Sequence, residues 1–482
     1  MRIKLNCLST AFIAIVFGVS VTAYASDGFN DVCSWDVYDP GYHGVGDNPK
    51  GFVGGVFDGR YVYFAPYNDG AFNGEVLRLD TTGVFRDVSA WAAYSPKANG
   101  VGDDPSGYDG GVFDGRYVYF IPMANVSGYH GEVLRYDTTA DFSEAASWST
   151  FNPSQNGVGD DLIGFSGGAF DGRYLYFSPY RNNSGDHSAV LRYDTTGAFS
   201  AVASWASFDA GAQGVGDEYG YVGAVFDGRY VYFVANCTGD TSHHGEFRRY
   251  DTTGGFTNVS SWSAYDPGEN GVGDDPDGFT CGVFDGRYIY FVPHWDEPTY
   301  HGQTLRYDTA ADFATASSWT AFDPGAAGLG EDLDGYYGAV YDGSYVYFVP
   351  CHNGAVYHTE VMRYDPTGPY ADLASWTVFN ARDEGVTRQG GYCEAVYDGR
   401  YIYFCPNRWI NPYGQVLRFD TATCPGDVNH DGAVNLSDLA QLLGHYNMTA
   451  GATCEDGDLD NDEDVDLSDL AALLAVYGDT CD

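Results

Sequence analysis

The octapeptide Phe57-Asp58-Gly59-Arg60-Tyr61-Val62-Tyr63-Phe64 decides the fold, because close copies of it recur along most of the chain. The other copies begin at Phe113, Phe170, Phe226, Phe284, Tyr341 and Tyr397, which gives seven copies spaced 56 to 58 residues apart. Seven tryptophans keep the same period: Trp35, Trp91, Trp148, Trp205, Trp262, Trp319 and Trp376. So do seven arginines: Arg78, Arg135, Arg192, Arg249, Arg306, Arg363 and Arg418. A fixed period of this length indicates a repeat architecture.

Each repeat predicts four short strands. Residues 54–57 lead through an Asp-Gly turn into residues 61–64, which is a strong hairpin signal. A third strand is predicted at residues 75–79 and a fourth around residues 91–94. Each unit alternates aromatic and β-branched residues between glycine-rich turns. Helical repeats would instead show a 3.6-residue period, so they are excluded. Four strands in each of seven units predict an all-β fold, a seven-bladed β-propeller.

The phase of the repeat predicts how the ring closes. The chain begins with a lone fourth strand at residues 35–38, and the seventh unit ends after its third strand at residues 415–419. The N-terminal strand should therefore complete the last blade and leave no open sheet edge. Cys33 and Cys424 flank this seam, and we expect a disulfide between them in place of the missing loop. Unrelated cysteines are the alternative.

The first 25 residues are typical of a secretory signal peptide. Arg2 and Lys4 form a positive start, residues 11–21 an apolar run, and residues 23–25 a small-x-small cleavage site. The apolar run is shorter than the ~20 residues that a membrane span needs, so we expect export without membrane insertion. The predicted location is secreted, extracellular or attached to a cell surface through a partner, where disulfides persist.

Composition excludes some partners. The 482 residues include 67 Asp and Glu against 23 Lys and Arg, a formal net charge of −44. Nucleic-acid binding needs clustered Lys and Arg, so a nucleic-acid partner is excluded, and anionic membrane surfaces are disfavoured. The 44% of hydrophobic residues can build a packed core.

Nine cysteines follow the signal peptide, so at least one is unpaired or pairs with another molecule. Besides the seam, three bridges are predicted: Cys237–Cys281, Cys351–Cys393 and Cys454–Cys481. The first two would join neighbouring blades, and the third would clasp the C-terminal segment. A bond between Cys393 and Cys405 across one hairpin competes with the second.

The composition changes after Thr423, because residues 424–482 contain 14 acids and no Lys or Arg. Two loops in this segment match at a spacing of 31 residues. Their predicted metal ligands are Asp427, Asn429, Asp431, Ala433, Asn435 and Asp438, and Asp458, Asp460, Asp462, Asp464, Asp466 and Asp469. Oxygen donors at loop positions 1, 3, 5, 9 and 12, with a backbone carbonyl at position 7, are what Ca²⁺ requires. An acidic disordered tail is disfavoured, since each loop runs into an amphipathic helix.

This C-terminal segment resembles the type I dockerins of cellulosome-type systems. The resemblance covers about 59 of 482 residues and rests on the duplicated Gly-Asp-x-Asn/Asp-x-Asp loop and on the Leu-Ser-Asp that closes each loop. It implies two bound Ca²⁺ ions, a cohesin-like protein partner and recognition residues at Leu436, Ser437, Leu467 and Ser468. Glu463 replaces the glycine at position 6 of the second loop, where a positive φ costs about 1 kcal/mol, so the second site is expected to be weaker.

The predicted domains are therefore a signal peptide at 1–25, a propeller at 26–423 and a dockerin-like module at 424–482. The propeller itself resembles no identified family. Since the crowded carboxylates of the module repel one another, its fold is expected to depend on Ca²⁺.

One propeller face carries a repeated Gly-Val-Gly-Asp and a histidine ladder. Candidate ligand-binding residues there are His130, His187, His244, His301, His358, Trp295 and Trp409. Equivalent residues of adjacent blades are roughly 15 Å apart, too far to share a metal ion. Either each histidine fixes the acidic loop of its own blade, or each blade offers a histidine, aromatic and carboxylate pocket for a sugar.

The opposite face is predicted to be structural. The arginine after each Asp-Gly and the aspartate of each Arg-Tyr-Asp-Thr should form a ring of ion pairs, with Ser344 interrupting it in blade six. The tryptophan ladder should pack blade against blade.

Near-identical blades lack the unique constellation that catalysis needs, so no catalytic residue is assigned. The predicted function is a non-catalytic propeller, either a scaffold or glycan-binding, attached to a cohesin-like partner. A polysaccharide lyase or glycoside hydrolase is the alternative, and a purely structural surface protein is a third reading. If the protein is such an enzyme, its catalytic residues should lie where the repeat is broken: Arg382, Asp383, Glu384, Arg388 and Trp409 in blade seven, and His294, Trp295, Asp296 and Glu297 in blade five.

Overall fold

The computed structural model describes residues 28–47, 49–237, 242–274, 276–382, 386–387, 390–406, 413–422, 426–429, 432–459 and 462–480. Its strands form seven four-stranded antiparallel sheets, the blades of a β-propeller, which confirms the predicted fold. The predicted signal peptide and the boundary at residues 423 and 424 lie outside the described residues.

Each blade runs from a first strand at the centre of the ring to a fourth strand at the rim. The first strands are Phe52–Phe57, Tyr108–Phe113, Phe165–Phe170, Tyr221–Phe226, Phe279–Phe284, Tyr336–Tyr341 and Tyr392–Tyr397. The second strands are Tyr61–Pro66, Tyr117–Pro122, Tyr174–Pro179, Tyr230–Ala235, Tyr288–Pro293, Val346–Pro350 and Tyr401–Pro406. The third strands are Val76–Asp80, Val133–Asp137, Ala189–Asp194, Phe247–Asp251, Thr304–Asp308, Glu360–Tyr364 and Val416–Asp420. The fourth strands are Trp91–Tyr94, Trp148–Phe151, Trp205–Asp209, Trp262–Tyr265, Trp319–Phe322, Trp376–Asn380 and, for blade seven, Trp35–Tyr38.

Short elements decorate this ring. Two-residue hairpins extend the loops after three second strands: Ala124–Asn125 with Gly128–Tyr129, Arg181–Asn182 with Gly185–Asp186, and Trp295–Asp296 with Thr299–Tyr300. A 3₁₀ turn precedes every fourth strand: Val32–Ser34, Val88–Ala90, Ala145–Ser147, Val202–Ser204, Val259–Ser261, Ala316–Ser318 and Leu373–Ser375. Further 3₁₀ turns are Lys97–Asn99, Gly211–Gln213 and Cys454–Asp456, and the two helices are α1 (Leu436–His445) and α2 (Leu467–Ala475). In the part of the chain that the structure describes, neither helix has the length and apolar character needed to cross a bilayer.

The N-terminal strand closes the ring as predicted. Trp35–Tyr38 pairs antiparallel with Val416–Asp420, so that Trp35 lies opposite Phe419. The first strand of blade one packs against the first strands of blades two and seven, which makes the ring continuous. Phe29 also belongs to the closing segment, because its carbonyl oxygen accepts a hydrogen bond from Trp35 Nε1 at 3.0 Å.

The carboxylate of Asp58 explains why the octapeptide recurs. Its Oδ1 accepts the backbone N–H groups of Arg60 and Tyr61, and its Oδ2 accepts the hydroxyl of Tyr63 at 2.8 Å. Gly59 between them has a φ of +101°, which glycine adopts without a steric penalty. The same aspartate-to-tyrosine bond recurs in the other six blades.

Tryptophans and arginines join neighbouring blades. The seven ladder tryptophans are between 3% and 6% exposed, and Trp35 stacks on Phe379 of blade six at 4.6 Å. The Arg78 guanidinium lies 4.3 Å from the ring centre of Tyr61 and 4.2 Å from that of Phe142 in blade two. The predicted role of the tryptophan ladder in packing between blades is therefore confirmed.

The two faces of the ring differ in chemistry. The predicted ion pairs form on the face of the Asp-Gly turns, which we call the ion-pair face: Arg60–Asp80, Arg116–Asp137, Arg173–Asp194, Arg229–Asp251, Arg287–Asp308 and Arg400–Asp420. Each pair lies within one blade, so the ring consists of separate pairs. The opposite face, formed by loops between blades and between second and third strands, is called the loop face.

The predicted seam disulfide is wrong. Cys33 is bonded to Cys454, not to Cys424, and the same bond excludes the predicted pairing of Cys454 with Cys481. Cys424 and Cys481 lie outside the described residues. The physical reason is that the 3₁₀ turn Cys454–Asp456 of the C-terminal module packs beside the 3₁₀ turn Val32–Ser34, so the module supplies the partner.

The predicted bridges between blades are also absent among the described cysteines. The pairs Cys237–Cys281, Cys351–Cys393 and Cys393–Cys405 do not form, and all five residues keep thiols. Cys351 and Cys393 pack in one cluster with Val53 and Tyr337 near the axis. Burial raises the pKa of the Cys237 thiol and of the Cys281 thiol, each to about 12, so these two thiols are neutral packing groups at pH 7.

Candidate functional sites

The first C-terminal loop is held by hydrogen bonds to the carboxylates that the sequence assigns to metal binding. Asp427 Oδ2 accepts the N–H of Gly432 at 2.8 Å. Asp438 accepts the N–H groups of Asn429 and Asn435, and it is fully buried. Asn435 caps helix α1, since its Oδ1 accepts the N–H of Ser437 at 2.8 Å. Asp431 lies outside the described residues.

The second loop repeats this construction around helix α2. Asp458 Oδ2 accepts the N–H of Glu463 at 3.0 Å, and the buried Asp469 accepts the N–H groups of Leu459 and Asp466. Asp466 caps helix α2 by accepting the N–H of Ser468. Asp460 lies outside the described residues. Asp462 is described, and its Oδ1 accepts the N–H of Asp464 at 3.1 Å.

Three carboxylates of the second loop converge on one point. Asp464, Asp466 and Asp469 each bring an oxygen within 4.8 Å of the others' oxygens. The sequence assigns the backbone carbonyl of Asp464 to the ion, and the structure also brings its side chain to the cluster. Its Oδ1 is buried without a hydrogen-bond partner among the described residues. Burial, and then repulsion from Asp462 and Asp466, raise the pKa of Asp464. Hard oxygen donors that repel one another fit Ca²⁺, which would neutralise them.

Position 6 differs between the two loops as the sequence predicts. Gly432 in the first loop has a φ of +92°, and Glu463 in the second has a φ of +66°. The second loop therefore requires a left-handed conformation from a residue with a Cβ atom, which is unfavourable.

Five large apolar side chains of the module are exposed. We call this set the leucine patch; it contains Leu436, Leu443, Leu467, Leu474 and Tyr477, whose exposed fractions are 68%, 51%, 66%, 53% and 45%. Ser437 and Ser468 are also exposed beside Leu436 and Leu467. The fully buried leucines of the two helices are Leu442 and Leu473. A helix of about ten residues buries only one stripe of its surface in so small a core.

The module packs against the ion-pair face at blades seven and one. Besides the disulfide, Arg86 bridges the two parts: its guanidinium lies 2.5 Å from Asp36 of the closing strand and 3.3 Å from Glu455 of the module. A cleft of about 800 Å³ remains between them and is lined by Arg86, Arg400, Arg418, Asn429, Gln441 and Glu455. The loop face is therefore on the side of the ring away from the module.

The ladder histidines on the loop face are enclosed. His130, His187, His244 and His358 are between 1% and 8% exposed. His187 Nε2 bonds the carbonyl oxygen of Ile163 at 3.0 Å, and His244 Nε2 bonds that of Tyr219 at 3.0 Å. Both carbonyls lie in the loop that leads into the blade of the histidine. In blades three and four, these contacts favour the interpretation in which the histidine fixes its loop.

Burial sets the charge of these histidines. It lowers the pKa of His130, His244 and His301 to about 4, so these imidazoles are neutral at pH 7. His358 instead bonds Glu360 Oε2 through Nδ1 at 2.8 Å.

The Gly-Val-Gly-Asp loops are fixed by a carboxylate or amide oxygen of the third strand or the residue before it, from positions that the sequence pattern alone did not single out. Glu132 accepts the N–H groups of Asp103 and Asp104 at 2.8 and 2.9 Å. Glu75 accepts the N–H of Asp47, and Gln303 Oε1 accepts that of Asp274. The sequence does contain a signal for this role, because an acidic or amide residue lies two positions after the histidine-ladder residue in most blades.

A polar cleft of about 380 Å³ lies on the loop face between blades two and three. Amide, carboxylate and hydroxyl groups surround one tyrosine in its walls, which include Asp103, Tyr129, His130, Asn152, Asp161 and Asn183. This combination of hydrogen-bonding groups with an aromatic ring suits a polyhydroxylated ligand.

The repeat-breaking residues of blade five form a connected group. Trp295 Nε1 donates to Glu297 Oε1 at 3.2 Å, and Glu297 Oε2 lies 2.8 Å from His243 Nδ1. His294 packs edge-on against Tyr300 at 5.1 Å. Both oxygens of Glu297 are thus engaged, and Asp296 pairs with Thr299 in the short hairpin.

In blade seven, the Arg382 guanidinium donates to the carbonyl oxygen of Tyr357 at 2.8 Å. Asp383, Glu384, Arg388 and Trp409 lie outside the described residues.

No known protein-family model matches the chain, and no curated protein is significantly similar to it.

Proposed function

We propose that the chain is an exported, non-catalytic glycan-binding propeller that attaches to a cohesin-like protein through a calcium-dependent C-terminal module. The observation that carries this proposal is the pair of matching acidic loops, each closed by a buried aspartate at the start of a capped helix.

Two Ca²⁺ ions would be held by the loop oxygens. In the second loop, the convergence of Asp464, Asp466 and Asp469 within 4.8 Å supports this assignment. When bound, Ca²⁺ supplies positive charge that offsets carboxylate repulsion, so the stability of the module should rise with the logarithm of the free Ca²⁺ concentration above the dissociation constant.

The leucine patch supports the partner assignment. Leu436 and Leu467 begin equivalent helices and are 68% and 66% exposed, each next to an exposed serine. Several large apolar side chains exposed on so small and acidic a module suit a protein interface. The cohesin-like identity of the partner follows from the resemblance of the loops to dockerins.

The arrangement of the two parts supports a display role. The module packs on the ion-pair face, so the loop face stays open when the module is docked. The cleft of about 380 Å³ between blades two and three supports glycan binding there.

Calorimetric titration of the full-length protein with Ca²⁺ tests the metal sites. We expect two ions per chain, and Asp438→Ala and Asp469→Ala should each remove one. Asp479→Ala is the matched control, because Asp479 is an exposed acid of the module outside both predicted ligand sets.

The partner is tested by pull-down with a type I cohesin domain. Binding should require Ca²⁺ and should be lost in the double variant Leu436→Ala, Leu467→Ala, while Val202→Ala on the propeller leaves it unchanged. Absence of calcium binding, or of any calcium-dependent association, contradicts the proposal.

A further inference from the structure

A band of aromatic and imidazole rings crosses the loop face at blades five and six. We call it the aromatic band; it consists of His294, Trp295, Tyr300, His352 and Tyr357, all half-buried. Tyr300 lies at its centre, with ring-centre distances of 4.7 Å to Trp295 and 5.0 Å to His352. His352 in turn lies 4.7 Å from Tyr357. The rings therefore form one continuous surface rather than isolated side chains.

The band breaks the sevenfold repeat. The residues equivalent to Trp295 and His352 in blades one to four are Asn68, Ala124, Arg181 and Cys237. The band also extends inward to the first strand of blade six, because the His294 ring lies 5.5 Å from that of Tyr337. A surface that interrupts the repeat is a place where one ligand can be recognised.

The Trp295 ring is fixed by its neighbours. Glu297 accepts the indole N–H at 3.2 Å and is itself bonded to His243 of blade four at 2.8 Å. Burial alone would raise the pKa of Glu297, but the bonds from His243 and Trp295 lower it overall, so the carboxylate is ionised at pH 7. A ring fixed before binding loses little conformational entropy when a ligand stacks on it.

His352 adds a directed polar group. Its Nδ1 accepts the N–H of Gly354 at 3.0 Å, so in the neutral ring Nε2 carries the proton. Burial, and then the charge of His358, lower the pKa of His352, which keeps the ring neutral at pH 7. The band thus combines apolar ring faces with a hydrogen-bond donor at its edge.

We propose that the aromatic band is the subsite for an uncharged pyranose unit of a polysaccharide, with the face of Trp295 under the sugar ring, Tyr300 standing edge to face beside it, and His352 Nε2 donating to a hydroxyl. The inference rests on the proposed glycan-binding function of the loop face. A pyranose presents axial C–H groups on one face and hydroxyls around its edge, which matches aromatic faces rimmed by polar groups.

The charge of the protein selects uncharged sugars over uronic acids. The formal net charge is −44, and Lys50 and Lys97 lie in the loops before blades one and two, on another part of the ring. An acidic glycan at the band would be repelled by the Glu297 carboxylate beside Trp295, whereas the Arg382 guanidinium beside Tyr357 already donates to the carbonyl oxygen of Tyr357.

The test is calorimetric titration of the calcium-loaded full-length protein with neutral hexasaccharides of glucose, xylose and mannose and with hexagalacturonate. We expect wild-type protein to bind at least one neutral probe, Trp295→Ala to weaken that binding at least tenfold, and Tyr42→Ala to change it less than twofold. Tyr42 is the matched control, because it is 83% exposed on the same face in the loop before blade one.

Each of the other outcomes contradicts one stated part of the proposal: the subsite, glycan binding itself or the preference for uncharged sugars. Equal binding by wild type and Trp295→Ala overturns the subsite but leaves glycan binding intact, whereas no binding by wild type overturns both. Tighter binding of hexagalacturonate overturns the uncharged class. If Trp295→Ala does not fold, Trp295→Phe replaces it: a fluorescence change on binding should occur in wild type and vanish in Trp295→Phe, and its persistence overturns the subsite.

Discussion

Cys33 and Cys454 are joined by a disulfide across 421 residues of sequence, with their Cα atoms 5.4 Å apart. Cys33 lies two residues before the strand that completes blade seven, and Cys454 begins the 3₁₀ turn between the two acidic loops of the module. The bond therefore fixes the module to the seam of the ring, so that blade closure and module attachment share one covalent link.

Replacing this disulfide should loosen both parts. In Cys33→Ser, Cys454→Ser, we expect the free energy of unfolding to fall by about 2–4 kcal/mol, because the unfolded chain loses a long-range constraint. Urea unfolding followed by tryptophan fluorescence measures the change. The control is Cys237→Ser, which removes a buried thiol without removing a disulfide.

Peptide mapping without reduction checks the pairing itself. A fragment linking the Cys33 peptide to the Cys454 peptide is expected, and a Cys33–Cys424 fragment would contradict the structure.

The pair Arg173–Asp194 on the ion-pair face predicts a pH dependence. Hydrogen bonding to Arg173, together with Thr196, lowers the pKa of Asp194 to about 2, against an unfolded value of about 3.9. A lowered carboxyl pKa stabilises the fold above pH 4, and this contribution disappears as the pH falls through 2. Because the arginine side chain is 56% exposed, solvent screens the pair, and Arg173→Ala should lower the free energy of unfolding only slightly at pH 7.

Urea unfolding of wild type and Arg173→Ala across pH 2–7 measures this contribution. The difference between the two proteins should vanish near pH 2, and Arg173→Lys should retain part of it, because lysine keeps the charge but not the paired geometry. A difference that is constant with pH contradicts the assignment.

The blades could be predicted from sequence because their determinants are local. Asp58, Gly59 and Tyr63 form the turn with one another, so each copy of the octapeptide specifies its own hairpin. Closure by Trp35–Tyr38 followed from counting strands in the first and last units.

The wrong parts depended on contacts that sequence spacing does not report. Cys33 forms its disulfide with Cys454 because the module packs against the ring. This contact joins segments more than 400 residues apart in the sequence. The sequence left the exposure of the histidines open for a similar reason. His130 is buried because neighbouring loops cover it, and a histidine repeated at a fixed spacing looks the same in sequence whether it is covered or exposed.

Glu463 offers a direct test of the second acidic loop. Because its φ is +66°, Glu463→Gly should remove the steric penalty and stabilise the calcium-loaded module by about 0.5–1 kcal/mol. Asn447→Gly is the matched control: Asn447 has a φ of +71°, but asparagine tolerates this region, so the gain should be smaller. Thermal unfolding in excess Ca²⁺ measures both, and an equal or larger gain for Asn447→Gly would be inconsistent with strain at position 6.

The buried histidines predict acid sensitivity of the propeller. Burial lowers the pKa of His130 from 6.5 to about 4, so the unfolded chain binds a proton between these pH values and the folded chain does not. Stability is therefore unaffected above pH 6.5 and falls as the pH drops towards 4, by about 2–3 kcal/mol for this residue at pH 4.5. Blade one supplies the variant, since Asn73 occupies the equivalent position and its Oδ1 accepts the N–H of Glu75 at 3.2 Å, as His130 Nδ1 accepts that of Glu132 at 3.3 Å. His130→Asn should keep a similar bond, and its loss of unfolding free energy between pH 7 and 4.5, measured in urea, should be smaller than that of wild type by this amount. An unchanged loss would show that His130 is accessible and protonated in the folded protein, which would reopen the ladder as a ligand site.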